Sequence, residues 1–244
     1  MRHPRRWSLW VSVVAIGVGL SGRALADDAM LATTQTPTDF IIAASIGYVK
    51  HVENVDDIVV LTGDPNFSKL KSEGVLYIDD HGGKNSIGVT NRLSASQLVT
   101  MLTRGANPIP KKCTINLITC ESSHFIQKVH DQLQGTEWKD VKLVGYKGCM
   151  IADIDHGSSL RIRVVLEGKE DEVGKIQDHV LAKDNLGKKI DDDFANCKKK
   201  DTLEKLTKCV YESDNVRTFY RKIIKKAGNK QLLFPVGEGV KRIP

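Results

Sequence analysis

Between residues 40 and 166 the sequence carries six short apolar runs, at 40–44, 58–61, 75–78, 115–118, 141–144 and 160–166, with more polar segments between them. Ile, Val and Leu follow one another in most of these runs without alternating with polar residues. That pattern marks strands covered on both faces, as parallel strands are when helices pack on each side of a sheet. The intervening segments read as helices. Ser94 is placed as the N-cap of a helix with Leu98, Met101 and Leu102 on one face, closed by Gly105, Pro108 and Pro110. Residues 121–134 set Phe125, Ile126, Val129 and Leu133 at helical spacing before Gly135. Crossovers of this length suit right-handed strand-helix-strand units, so the fold class expected is α/β with a mostly parallel central sheet. The run at 160–166 alternates Arg161 and Arg163 with Ile162 and Val164 and is expected as a more exposed strand. From about residue 170 the chain reads as helical and lysine-rich, with apolar faces at Leu203, Leu206 and Val210 and at Phe219, Ile223 and Ile224. A last strand at 232–236 is expected to close the sheet.

The first residues belong outside this fold. Arg2, Arg5 and Arg6 make a basic start, residues 7–22 carry no charge, and Ala24-Leu25-Ala26 is a small-x-small cleavage pattern. An uncharged run of 16 residues is short for a membrane span. Residues 1–26 are therefore expected to be a signal peptide, which makes the protein periplasmic or secreted, with no membrane span after cleavage. Without this leader the remaining 218 residues hold 32 basic against 30 acidic residues, so the net charge drops from +6 to +2. The high isoelectric point is mostly the leader's, and no nucleic-acid partner is expected. The remaining charge is uneven: residues 188–230 are net +6 and residues 27–187 net −5. A basic segment of this kind is either a set of solvated helix faces or a surface for an anionic partner or activator. The expected organisation is a loose lead-in at 27–38, an α/β core at 39–187, and a basic helical subdomain at 188–244 packed on that core.

An exported chain is free to form disulfides, and five cysteines leave at least one thiol unpaired. Cys197 and Cys209 flank a helical stretch and are the expected bridge. Of the others, Cys113 stands at the start of an apolar run and reads as structural, whereas Cys120 stands just past the end of the same run. There the sequence INLITCESSHF takes a strand directly into a helix. A second run, in GVLYIDDHGG, ends in Asp79-Asp80-His81-Gly82-Gly83. The carboxyl ends of parallel strands open onto one edge of a sheet, so His81 and Cys120 are expected to face a common crevice. The amino end of the helix after Cys120 and a neighbouring imidazolium would both favour the thiolate. Such a sulfur would attack a carbonyl carbon while His81 protonates the leaving amine, and the amides of Cys120 and of Gly82 or Gly83 would hold the oxyanion. Three alternatives stay open on these residues alone: a buried strand cysteine, a Cys120–Cys149 disulfide, and a zinc site built from His81, Cys120 and His156. No Walker, G-x-G-x-x-G or G-x-S-x-G pattern occurs.

The two strand ends together resemble the caspase-haemoglobinase clan of cysteine peptidases, and its legumain-like branch most of all. Asp80-His81-Gly82 and Thr119-Cys120-Glu121-Ser122 carry the resemblance, with 39 residues from the histidine to the cysteine, over roughly residues 39–166. Ser123 departs from the legumain-like pattern, which prefers glycine after Cys-Glu-Ser. The resemblance implies a caspase-like three-layer sandwich, a catalytic dyad of Cys120 and His81, and an oxyanion hole to which Gly82 contributes. By position in such folds, Tyr146, Asp153 and Asp155 become candidates for the substrate pocket, where acidic residues would suit a basic side chain. The expected function is that of an exported cysteine endopeptidase acting on peptide or protein substrates, with no cofactor and no metal. The competing expectation is a catalytically inactive caspase-like binding module that docks on an anionic partner through its basic C-terminal helices.

Overall fold

The computed structural model describes residues 28–32, 37, 39–53, 55, 57–60, 65–88, 92–154, 161–235 and 237–244. The expected signal peptide therefore lies outside the described residues, as do Asp155 and His156. The chain is α/β. Its strands are β1 (Ala29–Ala32), β2 (Asp57–Val60), β3 (Val75–Asp79), β4 (Thr114–Ile118), β5 (Lys142–Tyr146), β6 (Met150–Ala152), β7 (Ile162–Val164) and β8 (Val240–Ile243). Its helices are α1 (Phe40–Val52), α2 (Ala95–Thr103), α3 (Ser122–Leu133), α4 (Glu170–Ala182), α5 (Leu186–Cys197), α6 (Leu203–Glu212) and α7 (Asp214–Asn229).

Six strands form the central sheet in the order β2-β1-β3-β4-β5-β8. The first five run parallel, and β8 pairs antiparallel with β5 at the edge. Alternate residues of β3 and β4 point to opposite faces. Leu76, Ile78, Ile115 and Leu117 pack against α2 and α3 through Leu98, Leu102, Phe125, Ile126 and Val129. On the other face, Tyr77, Ile118 and Tyr146 meet Ile42, Ile46 and Val49 of α1, and a further apolar cluster joins α1 to α4, α5, α6 and α7. The sheet is thus covered on both sides, as its uninterrupted apolar runs require.

Several sequence expectations hold. Ser94 caps α2 with a reciprocal capping box: its Oγ accepts from Gln97 N at 3.3 Å, and Gln97 Oε1 accepts from Ser94 N at 2.9 Å. The Cys197–Cys209 disulfide is present and ties the end of α5 to α6. Others are corrected. Within the lead-in expected to be loose, residues 29–32 form β1, a fully buried strand in the sheet interior. The run at 40–44 opens a helix rather than forming a strand. α1 is apolar on nearly every side because it lies between the sheet and α6, and Gly47 shows how tightly: a Cβ there would come within 2.4 Å of Thr207 O. An apolar run of this kind cannot be assigned by periodicity alone. The run at 160–166 supplies β7, which pairs with β6 in a separate two-stranded ribbon rather than joining the sheet. Of residues 232–236, Leu233 makes only an isolated bridge to Val165, and β8 closes the sheet instead. β8 at the end of the chain joins the central sheet, and α5, α6 and α7 share an apolar cluster with α1 and α4. Among the described residues, no helix is long and apolar enough to cross a membrane.

Candidate active site

Parallel register brings three strand ends to one edge. Ala32 of β1 pairs with Asp79 of β3, and Asp79 pairs with Ile118 of β4. Two residues past the last two of these stand His81 and Cys120, and beside them stands Asp39, the N-cap of α1. Asp39 does two things. Its Oδ1 accepts from Ile41 N at 2.9 Å and Ile42 N at 3.0 Å, capping α1, and its Oδ2 lies 2.9 Å from His81 Nε2. A carboxylate only accepts, so Nε2 carries the proton in this hydrogen bond and Nδ1 is the ring nitrogen not engaged by Asp39. The hydrogen bond to Asp39 is the main reason that the His81 pKa is raised, against the opposing effect of burial. Burial alone would raise Asp39, but the His81 hydrogen bond, the two α1 amides and the imidazolium charge bring it below its usual value.

The two ends are also fitted to each other in the backbone. A Cβ on Gly82 would sit 2.4 Å from Thr119 Oγ1 and 3.0 Å from Thr119 Cβ, so only glycine lets the turn after His81 pass the residue before Cys120. His81 N donates to Asp80 Oδ1 at 2.6 Å, which fixes the start of that turn. Past the sulfur, Glu121 takes a left-handed conformation at φ 53°, an arrangement that costs a non-glycine residue on the order of 1–3 kcal/mol. Two hydrogen bonds from Ser122 hold the corner in place: its Oγ donates to Leu117 O and accepts from Tyr146 N, each at 2.9 Å. Helix α3 therefore starts at Ser122, one residue later than the apolar spacing suggests, with its amino end beside Cys120.

Cys120, Cys149 and Cys113 are free thiols. Cys120 does not bridge to Cys149, but the two are hydrogen-bonded neighbours. That bond is the largest influence on Cys120. Burial opposes it, while the Met150 amide and the His81 charge act with it, and the thiol is lowered to about 7. Cys149, the donor, is pushed far upward by the same contact and by burial. Cys113 at the far end of β4 is buried and pushed up to about 12, as a structural thiol should be. Among the described residues, the N–H groups of Gly82 and Cys120 have no acceptor within the protein, whereas the Gly83 N–H is spent on Ser86 O at 3.0 Å. Of the amides expected to hold an oxyanion, those of Gly82 and Cys120 are thus free among the described residues and that of Gly83 is not.

His81, Cys120 and Cys149 line one cavity of about 240 Å³ between the strand ends and helices α1, α4 and α7. Its walls include Ile42, Ile118, Ile151, Val173 and Phe219, and Asp79 and Asp80 reach it from the end of β3. The pocket candidates inferred by position are elsewhere. Tyr146 is buried on the sheet with its hydroxyl donating to Asn116 Oδ1 at 3.2 Å, and it lines a different cavity. Asp153 is buried in the segment after β6, its N–H bonded to Arg161 O, and it does not line the cavity beside Cys120. Asp155 lies outside the described residues. Asp39 is the neighbour of His81 that the sequence reading missed, and Cys149, considered there only as a disulfide partner of Cys120, lies beside it as a free thiol. Among the described residues, no group of three or more His, Cys, Asp or Glu side chains is arranged to hold a metal ion. Compared with known proteins, the sequence matches no protein-family model and no curated protein.

Proposed function

We propose that this protein is an exported cysteine endopeptidase with a caspase-like arrangement of its sheet, using Cys120 as nucleophile and His81 as acid-base. The observation that carries the reading is that these two side chains line one cavity at the ends of adjacent parallel strands, with the amides of Gly82 and Cys120 left without acceptors among the described residues. The Cys120 thiolate adds to the scissile carbonyl carbon, and the oxygen takes up the electron pair under the two amides. When that pair returns, the C–N bond breaks and the imidazolium of His81 gives its proton to the departing amine, leaving a thioester. Neutral His81 then takes a proton from water, whose oxygen attacks the thioester, and the acid product leaves with the thiolate restored. Asp39 holds the ring orientation and stabilises the imidazolium throughout.

The test is cleavage of a peptide library by wild type, Cys120→Ala and His81→Ala, each checked for an unchanged thermal transition. Loss of all cleavage in the first variant, and a fall of about 10²–10⁴-fold in the second, is expected. Cleavage by Cys120→Ala at the wild-type rate would overturn the proposal.

A further inference from the structure

The cavity beside Cys120 combines two features that do not ordinarily go together. Its walls are aliphatic and aromatic, yet Asp79 lies within it at 2% exposure. Its carboxyl is hydrogen-bonded by Ser45 of α1, yet one oxygen, Oδ2, has no partner among the described residues. A buried carboxyl oxygen without a partner is costly, and such an orphan calls for an external partner. The ionisable groups around it favour a cation: the described lining residues set the carboxyls of Asp80 and Glu170 against the one imidazole of His81, and include no lysine or arginine.

Resting on the peptidase reading above, we infer that this cavity receives the substrate side chain preceding the cleaved bond, that this side chain is basic, and that Asp79 is the residue selecting it. The register sets the depth. Asp79 and Ile118 face each other across β3 and β4, each two residues before His81 and Cys120 respectively, so Asp79 lies about 7 Å behind the dyad along the strands. A side chain entering beside the sulfur and reaching Asp79 must cross apolar wall before meeting the carboxyl. The flexible four-carbon stem and terminal ammonium of lysine have this construction, and arginine is its near equivalent.

Burial keeps Asp79 protonated up to about pH 8 when the cavity holds no cation. The groups acting on it are Ser45 from α1, Asp80 and His81 from its own turn, Cys120 beyond β4, Tyr146 from β5 and Tyr220 from α7. An entering ammonium replaces the proton, which leaves to solvent, and the two charges pair away from water.

The experiment compares the rates at which two peptidyl acyloxymethyl ketones, identical except for lysine or norleucine in the last position, label the full-length protein at Cys120. Norleucine keeps the stem and lacks the charge. Wild type is expected to react with the lysine reagent at least about 100-fold faster, a difference of about 2.7 kcal/mol. In Asp79→Asn the ratio of the two rates should collapse toward one. Equal rates in wild type, or a preference for the norleucine reagent, would overturn the inference while leaving the peptidase reading intact. So would an unchanged ratio in Asp79→Asn. Failure of every reagent to label Cys120 would strike the peptidase reading itself, and the inference with it. Because the wild-type ratio needs no variant, poor folding of Asp79→Asn does not blunt the test.

Discussion

Replacing Cys149 by alanine removes the largest single influence holding the Cys120 thiol near pH 7. A hydrogen bond to a charged acceptor contributes about 1.5–3 kcal/mol, and about 1.4 kcal/mol moves a pKa by one unit. The loss should therefore raise Cys120 by about one to two units, from about 7 toward its ordinary value of 9.0. At pH 7 the thiolate share then falls from about one half to between about one tenth and one hundredth, and the rate of alkylation falls about 5- to 50-fold. The Met150 amide and His81 remain, so the shift stops near the ordinary value rather than exceeding it by far. The assay is iodoacetamide alkylation across pH, with the adduct located by mass spectrometry. Cys113 stays silent because burial holds it near 12. Cys149→Ser keeps an O–H donor at the same place and should leave the midpoint within about half a unit of wild type. If Cys149→Ala, folded as judged by its thermal transition, titrates at the wild-type midpoint, the neighbouring thiol does not set the reactivity of Cys120.

Asp39→Asn keeps a side-chain oxygen for the α1 cap but removes the charge beside His81; the ring should titrate at lower pH by NMR, with kcat/KM down about 10–100-fold and little loss of stability. An unmoved His81 titration would refute that role. Gly82→Ala forces a Cβ against Thr119, and should lower stability by about 1–3 kcal/mol together with activity, whereas a variant as stable as wild type in urea would contradict the close approach. Asp79 gives up its proton near pH 3.8 in the unfolded chain and near 8 in the folded one, so the folded state binds more protons between these values. Stability should fall as pH rises through that window and level off above it, and Asp79→Asn should flatten the slope seen in urea midpoints, a flat wild-type profile being the contrary result. Replacing both Cys197 and Cys209 by alanine opens a loop of 12 residues' separation and should cost about 3 kcal/mol in urea unfolding. An unchanged midpoint would show that the bridge constrains little.

The site's two reactive residues could be read from the sequence because each follows an unbroken apolar run with a sharp change of character at its end. Parallel pairing then determines that such ends meet, and β3 and β4 do pair in that way. Asp39 escaped because its helix could not be recognised. α1 is buried from Ile42 to Val49, so it lacks the polar stripe that reveals an amphipathic helix, and a strand assignment for its first residues hid the N-cap. The pocket acids were sought after β5, but the chain there turns into the β6-β7 ribbon, which leaves Asp153 outside the cavity. In the sequence Asp79 is only the first polar residue after an apolar run. Only its pairing with Ile118 reveals that it is still strand and faces inward. β8 was missed for the opposite reason to α1: Val240-Lys241-Arg242-Ile243 is half charged, as an edge strand can be, and carries no buried-run signal.

The central claim is tested most directly by trapping the intermediate. Wild-type protein is mixed with a peptide ester of a basic residue, quenched in acid within the first turnover, and its intact mass is measured. A mass gain equal to the acyl group, mapped to Cys120, released by hydroxylamine and absent from Cys120→Ala, is the predicted result. An acyl group found on another residue, or steady cleavage with no Cys120 adduct at any quench time, would contradict it.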